Sequence, residues 1–219
     1  GQPSATATDD DTMNSPEDED GVVISGNFTL LAGGGGTATV TVNGGGGDAR
    51  LYGWIDFNGD GDWSDIGEQI FDGTTTIADG NSTLAFSVPL TSTAGQTFAR
   101  FRLSTDTALN FDGSATDGEV EDYQITIQAN QAPIADMGYP YTVIQGRDLV
   151  LDGSASSDPD AALGDSIVSY AWDVNNDGVY DAAGVNPTIT AAGLASLGLS
   201  PGRHTIALRV TDSLGRSGP

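Results

Sequence analysis

Apolar residues in this chain recur at every second position over short runs and almost nowhere at helical spacing. From position 22 the alternation covers 22–31, 37–42, 49–57, 68–71, 82–88, 97–104 and 119–128, with Gly, Asp, Asn or Pro between the runs. A period of two sends successive side chains to opposite faces of an extended backbone, so the pattern predicts short, half-buried strands. In 98–104 the parity sets Ala99, Phe101 and Leu103 on one face and Arg100 and Arg102 on the other, where nearby acids are expected to pair with them. Tyr123, Ile125 and Ile127 share a face of the next run, with Glu119, Glu121 and Asp122 gathered at its start. The glycine runs 33–36 and 44–47 read as flexible hairpin loops.

A polar stretch, Ala-Asn-Gln-Ala-Pro at 129–133, interrupts the series, and its Pro discourages continued pairing. Alternation then resumes over 141–144, 148–151, 167–174, 188–190 and 203–211. Here Val168, Tyr170 and Trp172 are expected to point inward, with Trp172 as a core anchor, and 191–199 has room for one helical turn. The fold class that follows is all-β, two β-sandwich domains in tandem. The boundaries read as an acidic, partly ordered arm at 1–21, a sandwich at 22–129, a linker at 130–133 and a second sandwich at 134–219. The arm holds too little apolar surface to fold alone, although its acids could fold back on the first sandwich.

Composition narrows the functions. Acids number 31 against 7 basic residues, all of them Arg, for a formal net charge of −24. That balance repels nucleic acid and anionic lipid and favours cations. With no Cys there is no disulfide framework, thiolate metal site or Cys nucleophile. The single His, His204, falls in step with Ile206, Leu208 and Val210, and is expected at a strand end near the core. One His cannot supply a nucleophile, base and orienter set, so an enzyme ranks last and no catalytic residues are assigned. No apolar run approaches the roughly 20 residues of a membrane helix. The chain opens on Gly1 and not Met, which reads as a processed or excised piece.

Two stretches carry candidate chemistry. Asp56, Asn58 and Asp60 precede Gly61 at alternate positions, and Asp173, Asn175 and Asp177 precede Gly178 in the same way. Calcium takes six to eight oxygens at about 2.3–2.6 Å, and a Gly at the sixth position lets a loop curl to aim them inward. Position twelve, a Glu in helix-loop-helix sites, is Gly67 or Gly184 here; Glu68 could close the first shell with Asp62 at position seven, and Asp181 stands at position nine of the second. The expected cofactor is therefore Ca2+. Stretches rich in Asp, Asn and Gly also make tight turns without any ion. Tyr52, Trp54 and Trp63 are candidates for an exposed aromatic platform, with Trp63 and Tyr52 the candidate partner contacts.

Residues 1–128 resemble the GEVED domain of large bacterial extracellular proteins, through Asp-Gly-Glu-Val-Glu-Asp-Tyr at 117–123, the stretch 53–57 with its acidic loop, and 99–104. The second half resembles a PKD (polycystic kidney disease) domain, an immunoglobulin-like sandwich, through 151–160, Tyr170-Ala171-Trp172-Asp173 and 208–212. Such a domain usually continues past 213–216 into a final strand, which is expected to be missing from this second sandwich. The resemblance implies a secreted or cell-surface, non-catalytic module working beside other domains or subunits. The readings kept open are a calcium-binding structural or adhesive module, a carbohydrate- or protein-binding accessory module, and a filament subunit assembling by edge-strand exchange.

Overall fold

The computed structural model describes residues 22–42, 48–138 and 140–219, so the acidic arm and the second glycine run lie outside the described residues. The chain divides into two compact units, Gly1–Ala129 and Asn130–Pro219.

In the first unit the strands are β1 Val22–Ile24, β2 Thr29–Leu31, β3 Gly35–Val42, β4 Ala49–Ile55, β5 Gln69–Ile77, β6 Gly80–Ser87, β7 Gly95–Ser104 and β8 Glu119–Gln128. They make a sheet of order β1-β3-β6 and another of order β2-β8-β7-β4-β5. The alternating apolar residues meet between them, with Ile24, Val40, Ile55, Phe101, Ile125 and Ile127 almost wholly buried. The run expected as one strand over 22–31 is two. Gly26, Asn27 and Phe28 all take positive φ, which turns the chain out of one sheet so that β2 can pair in parallel with β8 in the other. Nor is the first glycine run wholly loop: Gly35 and Gly36 open β3. A Cβ at Gly36 would stand 2.3 Å from the Phe86 ring, so the strand needs a residue without one there.

A smaller apolar cluster covers the other face of the five-stranded sheet. Direct partners across the ladder share a face, and the register aligns Trp54 with Arg100 and Arg100 with Asp122 in one row, and Tyr52 with Arg102 in the next. Tyr52, Trp54 and Trp63 pack there with Phe98, Leu109 and Phe111. Both faces of β4 are therefore buried, one by the main core and one by this cluster.

In the second unit β9 Leu149–Val150, β10 Ile167–Asp173, β11 Ala182–Ala183, β12 Thr188–Ile189, β13 Ala207–Asp212 and β14 Ser217–Gly218 form sheets of order β11-β10-β13-β14 and β12-β9. One short helix, Ala191–Ser196, is capped by the Thr190 hydroxyl, which accepts from Gly193 N–H. Trp172 is fully buried with Leu151, Val174 and Val210, and its indole donates to the Gly184 carbonyl at 2.9 Å. Val168 differs from expectation. The β10–β13 register shifts between Ile167 and Ser169, and this irregularity leaves Val168 63% exposed. His204 also departs from its expected place: it lies before β13 begins, is exposed, and contacts the Ser200 carbonyl through Nε2.

Candidate functional site

The first acidic loop leaves β4 and returns as β5. Asp56, 3% exposed, sits at its base and accepts from Gly59 N–H at 2.6 Å and Gly61 N–H at 3.0 Å. Asn58, Asp60 and Asp62 each accept from the backbone N–H two residues on, a chain of local turns in which the side chain replaces a backbone carbonyl. Glycines at φ 74° and 93°, Gly59 and Gly61, provide the curl. Glu68 lies beneath the loop, 2% exposed, and accepts from Phe57 N–H and Asp65 N–H. Burial pushes its carboxyl above the usual range, whereas the Ser64 hydroxyl and N–H hold Asp62 below it.

Oxygens of Asp60, Asp62 and Asp65 come within 4.8 Å of one another at the exposed rim. Asp65 escaped the sequence reading because it stands at position ten, off the alternate spacing. The structure thus brings Asp60 and Asp62 together, while Asp56 and Glu68 brace the loop from below.

The second loop repeats the first at its base. Asp173 accepts from Asp177 N–H and Gly178 N–H, Asn175 accepts from Asp177 N–H, and Asp177 accepts from Val179 N–H. Asp181, expected as a ligand at position nine, accepts from Val174 N–H at 2.8 Å and ties the loop's two stems. Among the described residues, no trio of carboxylates from this loop gathers within 4.8 Å.

Tyr52 and Trp63 do not form an exposed platform. They are 1% and 4% exposed, because the loop over 105–118 folds across the sheet face that carries them. Tyr52 donates its hydroxyl to the Asp106 carbonyl, and Trp63 donates its indole N–H to the Phe98 carbonyl. The Arg100 guanidinium lies 4.7 Å from the Trp63 ring centroid, a cation–π contact. Arg100 also makes a two-point pair with Asp122, Nε to Oδ1 at 2.6 Å and Nη2 to Oδ2 at 2.5 Å, and donates to the Phe111 carbonyl. Arg102, expected to pair with an acid, donates instead to the carbonyls of Asn110, Asp112 and Gly113. The planar fork of a guanidinium suits such convergent carbonyls, and the contacts hold the covering loop in place.

The signature at 117–123 now has a residue-by-residue account. Asp117 accepts from both Ser104 and Thr105 side chains and from Thr105 N–H. Gly118 has φ 93°, and a Cβ there would fall 1.7 Å from the Leu103 carbonyl oxygen, so only Gly fits. Glu121 is buried and accepts from the Tyr123 hydroxyl at 3.1 Å. Asp122 holds Arg100, and Tyr123 stacks on Phe28 at 5.2 Å.

No helix is long and apolar enough to cross a membrane, a statement that covers the described residues and says nothing of β-barrels. No curated protein matches the chain. The family comparison identifies no PKD domain in the second unit. GEVED domains are small β-domains found in extracellular bacterial proteins. Residues 50–126, from β4 through the first acidic loop and the Arg100 clamp to the signature, match the GEVED domain.

Proposed function

We propose that this chain is a non-catalytic, calcium-stiffened structural or adhesive module of a secreted or cell-surface bacterial protein. One observation carries the reading: two loops at corresponding spacing turn their backbone N–H groups onto a basal aspartate, Asp56 or Asp173, leaving oxygen-bearing side chains along the loop. The donors are all carboxylate, amide and carbonyl oxygen, the set a hard divalent cation such as calcium prefers, whereas zinc and copper favour nitrogen or sulfur. Where calcium binds, Asp60, Asp62 and Asp65 would hold it in the first loop, over the support of Asp56 and Glu68; Asn175 and Asp177 would hold it in the second, over the support of Asp173. The ion supplies charge neutralisation and a cross-link between loop stems, in a chain with no Cys to do so. Neighbouring domains or subunits of a larger extracellular assembly are the expected partners.

Calorimetry tests this directly. Melting should rise on adding calcium and fall with chelator, with a Kd of about 10⁻⁴ to 10⁻³ M, the range of extracellular modules. A melt indifferent to chelator would overturn it. A second reading, contact with a protein partner, draws on Ile66, which projects fully exposed from the first loop near its return to β5. Replacing it with Ser should weaken capture of such a partner while leaving the calcium shift unchanged.

A further inference from the structure

A further group of acids stands apart from both loops. Carboxylate oxygens of Asp158, Asp165 and Asp212 lie within 4.8 Å of one another, with Asp165 5% and Asp212 1% exposed. They come from the turn before the 3-10 segment Ala161–Leu163, from the residue two before β10, and from the end of β13. Asn130, at the start of the second unit and 5% exposed, donates Nδ2 to Asp212 Oδ2 at 3.2 Å.

Asp158 and Asp165 are each fixed through one oxygen, and Asp212 through both. Asp158 Oδ1 accepts from Asp160 N–H. Asp165 Oδ1 accepts from Ser166 N–H, Ser213 N–H and the Ser213 hydroxyl. Asp212 Oδ1 accepts from Leu214 N–H and Arg216 N–H. What remains is a set of buried acceptors without a donor: Asp158 Oδ2, Asp165 Oδ2 and Asn130 Oδ1.

Buried polar atoms are nearly always satisfied, and neighbouring buried carboxylates repel. The charged groups around the cluster do not relieve it. Asp160 spends both oxygens on Gln131, and the Arg216 guanidinium is turned to the Asn130 carbonyl. Among the described residues, no Arg or His nitrogen lies within 4.0 Å of these three acids; the one ion pair is Arg100 with Asp122.

We infer that Asp158, Asp165, Asp212 and Asn130 form a third cation site, built for a hard divalent ion of calcium's size. The oxygen-only donors exclude a soft metal, and the backbone hydrogen bonds preset the free oxygens, so little ordering is left to binding. Asp158, the least buried of the three acids, marks the side from which an ion enters. A bound ion joins segments 82 residues apart, Asn130 to Asp212, and fastens the first residues of the second unit to the end of β13. The site does not depend on either loop taking an ion.

The test is a calcium titration of the full chain by calorimetry, beside the variant Asp165→Asn. The substitution keeps Oδ1 and its three donors and replaces only the unpartnered oxygen with an amide NH2, which can donate into the cluster. The variant should bind one calcium fewer per chain than the parent, whatever number the loops take. In chelator it should melt at or above the parent's temperature, and in calcium below it, a crossing that a purely structural role would not give. An unchanged calcium count would overturn the site, as would a variant destabilised equally in chelator and calcium. Should Asp165→Asn not fold, Asp158→Asn, which likewise retains its bonded oxygen, reads the same count. Loss of calcium at both loops with one ion still bound would sink the loop reading and leave this one standing.

Discussion

Asp122 and Asp117 show how the acids of the signature are spent on the fold. Asp122 is 2% exposed and neutralises Arg100, which itself covers Trp63. Taking away one partner of a buried pair strands the other charge, at a cost of about 3–5 kcal/mol. Asp122→Ala should therefore lower unfolding free energy in urea by about that much, and Trp63 fluorescence should report a wetter environment before the main transition. Asp117 is exposed but held below its ordinary 3.8 by the Thr105 hydroxyl first, then by Ser104 and Thr105 N–H. Its folded-state carboxylate is more acidic than its unfolded one, so its contribution is full above 3.8 and disappears as pH falls through the lowered value. The gap in Tm between the parent and Asp117→Ala should be widest at neutral pH and should close on acidification; a gap that persists in acid would show that the loss came from packing.

At the scale of elements, two glycines separate strain from collision. Gly67 has φ 96° with nothing within 4 Å of a Cβ, whereas Gly118 has φ 93° and meets the Leu103 carbonyl oxygen at 1.7 Å. Gly67→Ala should cost about 1–2 kcal/mol, the penalty of left-handed backbone alone. Gly118→Ala must also push apart the start of β8 and the end of β7, and should cost more than twice as much in the same urea titration. The sequence carried the strands whose partners are implied by parity: Ala99 and Phe101 lie inward, and Trp172 is the core anchor the alternation suggested. It carried part of the first loop too, since Asp60 and Asp62, two residues apart in the chain, come together at its rim, whereas Asp65 stands off the alternate spacing. It could not carry Trp63's burial, because the covering loop over 105–118 has no alternation to announce it and is held by Arg102 through backbone carbonyls, which have no residue signature. Nor could it assemble Asp158, Asp165 and Asp212, which only the pairing of β10 with β13 and the turn at Ser213 bring together. Val168 shows the same limit inside a strand, where a single register shift reverses a side chain that parity alone would bury.

For the whole molecule, charge and cores set the response to ions. The net charge of −24 opposes compaction everywhere, and salt or calcium relieves it in different ways. Screening acts on all exposed acids alike, whereas an ion in a shaped site stabilises only the unit that holds it. The two units have separate apolar cores, one around Phe101 and Ile125, the other around Trp172 and Leu151. Each core can therefore melt on its own, and scanning calorimetry in chelator should resolve two transitions. Calcium at ten to a hundred times Kd should add about 1.4–2.7 kcal/mol per site, and units of this size respond by about 4–8 °C for each kcal/mol. The first loop can move only the transition of the first unit, while the second loop and the Asp158 cluster both act on the second, so the second transition should climb further. Sodium chloride at matched ionic strength should raise both by similar, smaller amounts. If calcium moves the two transitions no more than sodium does, the acids serve as a charged surface and the loops as plain turns.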